Sequence, residues 1–177
     1  MQVVVIGNAP NRKLIDLEVV KESFFTIGCN ALYRDFEPDI LVAADKGMQE
    51  EILASEYSGR TIFHKRSIEY PPGQELVSER MRSSGLYAIR YAKQLECSHI
   101  YLIGFNPQSG YNMYDGTHNY RRSSALGGSQ FEVSRHCRDK RVIWVTDLKK
   151  HKKIERRQLM TPSNFIKLAD KRLEKGS

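Results

Sequence analysis

The sequence predicts a single α/β domain: a mostly parallel sheet flanked by helices. Three observations predict it. Short, mostly apolar runs recur along the chain, as strands buried on both faces do. Segments with helical spacing of apolar residues lie between them. Five of the six runs end in turns holding Gly, Asn or Asp. A chain of 177 residues has room for one such domain with a well-buried core.

The elements follow in order. Val3-Val4-Val5-Ile6 is the first strand, and the helical segment after it, with Asn11 as a cap, runs through Lys21. Phe24 to Ile27 is the second strand, ending in Gly28-Cys29-Asn30. Ile40 to Ala43 is the third, ending at Asp45, and Gly47 to Ala54 reads as helix. Thr61-Ile62-Phe63 is the fourth strand. Ser83-Ser84-Gly85 then opens a helix whose apolar residues Leu86, Ala88, Ile89, Ala92 and Leu95 share one side. Ile100 to Ile103 is the fifth strand, and Val142 to Val145 the sixth, after a helix from about Ser129 to Cys137. Ser163 is placed as the cap of a terminal helix carrying Phe165, Ile166, Ala169 and Leu173 on one side. That stripe has three possible partners: the body of the protein, a second copy in a homo-oligomer, or a membrane interface.

Composition narrows the function classes. The chain is 40% apolar and has net charge +7, but residues 1–148 carry 18 Lys/Arg against 18 Asp/Glu. The excess therefore resides wholly in residues 149–177, with 10 Lys/Arg against three acids. We divide the chain into a nucleotide-binding domain at 1–148 and a basic extension at 149–177. The neutral body excludes a basic nucleic-acid-binding domain. Six Lys/Arg in residues 149–157 offer an electrostatic contact for an anionic partner, nucleic acid or membrane surface, or else a solvated segment. No apolar run approaches the ~18 residues of a membrane span. Cys29, Cys97 and Cys137, odd in number and widely spaced, suit buried thiols of a cytoplasmic protein, and no metal site is expected.

In an open parallel sheet, ligands bind beyond the carboxyl ends of the strands. Those ends carry Gly7-Asn8, Cys29-Asn30, Asp45, Gly104-Phe105-Asn106 and Thr146-Asp147. Asn offers a donor and an acceptor without charge, which suits phosphate oxygens, ribose hydroxyls and base edges. Gly7-Asn8-Ala9-Pro10 is a strand-to-helix turn in which Gly permits a sharp bend and Pro10 suits a first helical position. Two readings stand for it, an anion cradle at a helix start and an Asn-Pro turn without ligand. Ser83, Ser84 and Gly85 form a second such helix start, preceded by Arg80 and Arg82. It reads as a phosphate contact or as a simple cap.

The segment from Gly104 to Gly128 has no periodicity and holds Tyr111, Tyr114, Asp115, His118 and Tyr120. A long aperiodic loop after the fifth strand reads as a lid or binding loop. His118 is its candidate general base, since an unperturbed imidazole titrates near neutrality. His64 and His99 flank strands and read as structural; His136 and His151 read as surface residues.

Val4-Val5-Ile6-Gly7-Asn8-Ala9-Pro10, Cys29-Asn30, Ser84-Gly85-Leu86-Tyr87 and Ile100-Tyr101-Leu102-Ile103-Gly104-Phe105 stand in an order and spacing that resemble the bacterial sialyltransferase-like, Campylobacter-type Rossmann-like family. Its small, often phage-encoded relatives of unknown function are included, and the resemblance spans roughly residues 2–115. It implies a transferase that takes a CMP-type nucleotide sugar as donor substrate, needs no further cofactor, and inverts the sugar carbon. Asn8 and Asn30 would contact the nucleotide, and Ser84 and Gly85 would line the same site. Tyr114 matches a tyrosine beside the departing phosphate, and a histidine would deprotonate the acceptor hydroxyl. The chain departs from the family at Gln108, where a second phosphate-binding tyrosine stands, at Asn106, where Asp stands, and at Asp45, where Asn stands.

Three functions are therefore carried forward. The first is a glycosyltransferase-like enzyme with His118 and Tyr114 in catalysis and Gly7, Asn8, Ala9, Pro10, Asn30, Asp45, Ser83, Ser84, Gly85, Gly104 and Asn106 around the nucleotide. The second is a non-catalytic nucleotide-binding or sequestering module. The third is an interaction protein that meets nucleic acid or membrane through its basic extension.

Overall fold

Val3, Val4, Val5 and Ile6 are all completely buried, which requires cover on both faces of the strand they form. The computed structural model describes residues 1–80, 83–105, 112–120, 130–146 and 158–176. The strands are β1 (Gln2–Ile6), β2 (Phe25–Cys29), β3 (Ile40–Ala43), β4 (Thr61–His64), β5 (Glu75–Val77), β6 (His99–Ile103), β7 (Val142–Val145) and β8 (Leu159–Met160). The helices are α1 (Leu17–Ser23), α2 (Lys46–Ala54), α3 (Ser84–Gln94), α4 (Gln130–His136) and α5 (Pro162–Gly176).

The strands form one sheet in the order β5-β4-β3-β2-β1-β6-β7-β8, and every pairing is parallel. The chain starts in the middle at β1, winds outward to β5, then crosses back to place β6 on the other side of β1. The winding direction thus reverses between β1 and β6. In register, Val3 and Val5 face α3 and α4 in one core with Ile27, Val42 and Leu102. Val4 and Ile6 face α1, α2 and α5 in the other, with Leu41, Met48 and Phe165. Two-residue alternation along a strand buried on both faces fills both cores at once. Each fully buried Val or Ile in these layers contributes about 1.5–3 kcal/mol.

The predicted fold class holds, with two strands added at the edges, β5 and β8, and two helix starts corrected. Asn11 does not cap α1. Pro10 to Leu14 forms a separate 3-10 turn, the backbone becomes extended at Ile15, and Asp16 caps α1 by accepting from the Glu18 amide at 3.0 Å. Ser163 lies exposed inside α5, and the Thr161 hydroxyl accepts from the Asn164 amide at 3.2 Å.

The apolar stripe of α5 docks on the body. Phe165, with no exposed surface, stacks on Phe24 at 5.5 Å and lies 5.3 Å from the Tyr101 ring. Arg172 donates to the Ser23 carbonyl and to the Gln2 side chain. Among the described residues no helix is long and apolar enough to cross a membrane.

Candidate functional site

In open parallel sheets ligands bind where the strand order reverses, and here that place is between β1 and β6, whose outgoing connections diverge to opposite faces. Two glycines stand there. The Gly7 amide donates to the Ile103 carbonyl at 2.8 Å and the Ala9 amide to the Gly104 carbonyl at 2.9 Å. A Cβ on Gly7 would collide with the Gly104 carbonyl, and a Cβ on Gly104 with that of Gly7. Gly104 also has φ +70°, a left-handed conformation that glycine adopts without penalty. These two turns approach as closely as backbone permits. Pro10 opens the 3-10 turn with an extended Ala9 before it.

A second group lies at the ends of β2 and β3. Asn30, directly after β2, adopts φ +53° and accepts at Oδ1 from the Ser84 hydroxyl at 2.7 Å. The same hydroxyl accepts from the Ala44 amide, just past β3, at 2.9 Å. Ser84 is almost fully buried, and Ser83 caps α3 by accepting from the Leu86 amide at 3.2 Å. An added Cβ on Gly85 would lie 3.0 Å from the Phe105 ring and 3.9 Å from Cys29 Sγ. The first turn of α3 is therefore seated across the ends of β2, β3 and β6. Asp45 is exposed at the start of α2, and its side chain caps no amide of that helix.

Asn8 joins the two groups, by a route the sequence does not reveal. Its Nδ2 donates to the Cys29 carbonyl at 3.0 Å, and its Oδ1 accepts from Arg12 Nη1 at 2.9 Å. Arg12 is buried, with 3% of its surface exposed, and donates from Nη2 to the Tyr114 hydroxyl at 3.1 Å and to Asp35 at 3.3 Å. Tyr114 in turn donates to Asp35 at 2.5 Å. Burial, ahead of the opposing Arg12 charge, pushes the Tyr114 hydroxyl well above the usual phenol range. Burial likewise pushes the Cys29 thiol up to about 12, so it stands as a neutral donor to the Ile6 carbonyl. The hydroxyl expected near a departing phosphate is thus already paired, and the Asn8 side chain is buried and bonded at both its nitrogen and its oxygen.

Residues 112–120 form a compact series of turns rather than an extended lid. The Met113 amide donates to the Asn8 carbonyl at 2.8 Å, laying this segment over the first turn. Arg34 clamps it, donating to the Thr117 hydroxyl at 2.7 Å, the His118 carbonyl at 2.9 Å and Glu51 at 2.7 Å. Asn119, at φ +64°, donates to the Gly47 carbonyl and to Glu51. Tyr120 is buried beside Asn30, its hydroxyl without a hydrogen-bond partner of good geometry. Burial first, then Cys29, pushes that hydroxyl up to about 12. Nothing but its place in an aperiodic loop marks Tyr120 in the sequence.

His118 lies elsewhere. It is exposed and lines a groove of about 600 Å³ with Tyr33, Gly47, Glu51, Ala54 and Ser55. Those α2 residues are spaced along one helix face and lead away from the strand ends, so His118 borders α2, not the Asn30–Ser84 pair. Arg80 also lies apart from the strand ends, in a groove against α4. His136, expected on the surface, is half-buried in that same groove. Asn106, Gln108, Tyr111 and the basic run 149–157 fall outside the described residues. Among the described residues there is no group of three or more His, Cys, Asp or Glu placed to hold a metal ion.

No protein-family model matches the sequence, and no curated protein matches it. Solved structures do match by fold. The sialyltransferase CST-II in complex with a trisaccharide acceptor and CMP gives a TM-score of 0.53 at 14% identity, over 82% of this chain and 80% of that one. CstII from Campylobacter jejuni in complex with cytidine-5'-monophosphate gives 0.53 at 15% identity, over 96% and 82%. A CST-II variant in complex with CMP gives 0.55 at 15% identity, over 81% and 80%. The chain has the sialyltransferase-like α/β fold.

Proposed function

We propose that this protein binds a nucleotide of the CMP type at the carboxyl edge of its sheet and acts on nucleotide sugars as a glycosyltransferase-like enzyme. One observation carries the reading: Gly7 and Gly104 meet where the winding reverses, beside an Asn30–Ser84–Ala44 chain of hydrogen bonds at the same edge. With no side chain on either glycine, the polar groups that a phosphate or ribose would meet are those of Asn30 and the first turn of α3 beside them. Fold neighbours solved in complex with CMP support the same ligand class. In this reading Asn30 offers its side-chain amide, Ser83–Gly85 the first-turn amides of α3, and Asp45 a carboxylate for ribose or sugar hydroxyls. His118 would be the base, and Tyr114, committed to Arg12 and Asp35, would hold that buried cluster without donating to the phosphate.

Saturation-transfer NMR of the full chain against CMP-, UDP- and GDP-sugars tests it. CMP-type ligands should show transfer, and Asn30→Ala should weaken their affinity about tenfold, the worth of a lost polar contact at a partly buried site. Absence of binding by any nucleotide at millimolar concentration overturns the reading.

A second reading, binding without transfer, is favoured by two placements. Tyr114 is committed to Arg12 and Asp35, and His118 lies along α2. His118→Ala separates the two. Under transfer, turnover falls by 10²-fold or more, the usual share of a general base. Under binding alone there is no turnover with any donor and acceptor, and CMP affinity is unchanged.

A further inference from the structure

A second concave surface lies between α3 and α4, on the opposite sheet face from α2 and His118. It encloses about 580 Å³ and is lined by Arg80, Leu86, Tyr87, Arg90, Glu132, Arg135, His136 and Arg138. Four of its eight lining residues are arginines and one is acidic. Leu86 and Tyr87 are buried and form an apolar floor; Arg80, Arg90, Arg135 and Arg138 are exposed around it. Arg90 is held in place by Glu79 and lies 5.7 Å above the Tyr87 ring. Among the described residues neither Arg80 nor Arg138 has an acidic partner. The lining shares no residue with the strand-end site.

Guanidinium is the group suited to planar, two-point recognition of phosphate, and it holds its charge at any working pH. Arg80, Arg90 and Arg138 bring three such forks to one groove, more than a single bidentate pair with one phosphate uses. The volume is that of a small-molecule site, too confined for a duplex to enter. His136 registers the field here: burial first, then Lys93, Arg90 and Arg135, depress its imidazole to about 4, against the weaker pull of Glu132.

We propose that the α3–α4 groove is a binding site for a small ligand carrying two or more phosphate groups, with Arg80, Arg90 and Arg138 as its anchors and Tyr87 as its floor. Arg90 would turn from Glu79 to the ligand, and the ligand's charge would replace the mutual repulsion of the guanidiniums. The ligand would press on Tyr87, three residues along α3 from Ser84.

Calorimetric titration of the full chain with inorganic pyrophosphate tests the site. Pyrophosphate should bind more tightly than orthophosphate, and its affinity should fall at least about tenfold in the Arg80→Gln/Arg138→Gln double variant, as charge-assisted contacts are lost. Both residues are exposed, so the variant should keep the parent's thermal midpoint and CMP affinity. In the parent, saturation with pyrophosphate should also shift the His136 imidazole resonances. Unchanged pyrophosphate affinity in the double variant, or loss of CMP binding together with it, overturns the proposal. So does a variant-sensitive single-stranded oligonucleotide binding where pyrophosphate does not, which would make the groove a nucleic-acid contact.

Discussion

At the scale of single residues, the paired glycines and the Arg12 cluster make opposite demands. Gly104→Ala must place a Cβ against the Gly7 carbonyl in a left-handed conformation. We expect a loss of about 2 kcal/mol or more in urea denaturation, since the conformation alone costs roughly 1–2 kcal/mol, and a loss of CMP binding with it. Tyr114→Phe removes a donor to Asp35 and an acceptor for buried Arg12. It should cost about 1–2 kcal/mol of stability, as a lost internal hydrogen bond does, with CMP affinity within twofold of the parent. Intact stability with weakened CMP binding would instead assign the hydroxyl to the phosphate. Asn8, Asn30 and Ser84 are legible in the sequence because strand ends are marked by where apolar runs stop. Arg12 is not: its burial depends on Asp35 and on Tyr114, 102 residues away, and nothing local sets it apart from the other basic residues. Nor does residue type reveal that the base candidate, His118, borders α2.

Elements with a long apolar stripe were legible, and short edge elements were not. α3 was found from its spacing, and α5 from its stripe, although the stripe alone does not name the surface that covers it. That surface is Phe24 and Tyr101. Phe165→Ala should cost about 3–5 kcal/mol in chemical denaturation, the usual result of emptying a fully buried aromatic site. β5 and β8 have three and two residues, too few for a period to show, and are defined by the neighbouring strand rather than by their own sequence. For α4, the depressed His136 predicts the pH response. The unfolded chain, with its imidazole near 6.5, binds the proton first, so stability is complete above about 6.5 and falls as pH drops toward about 4. His136→Gln should flatten that part of the stability–pH curve relative to the parent; parallel curves would refute the assignment.

For the whole molecule, the parallel order was legible because continuously apolar runs joined by helices admit few other arrangements. Where the winding reverses was not, since it depends on which strand neighbours β1 across nearly a hundred residues. That arrangement bears on how the protein is made. Of the eight strands the first to be made is a central one, and Val3 to Ile6 must wait for His99 to Ile103 before their second edge is covered. A nascent chain that has not yet exposed β6 carries β1 as an unpaired apolar edge of its half-built sheet, open to other chains or to chaperones. Synthesis slowed before that point should therefore yield aggregate, and the same pause placed after it should yield folded protein.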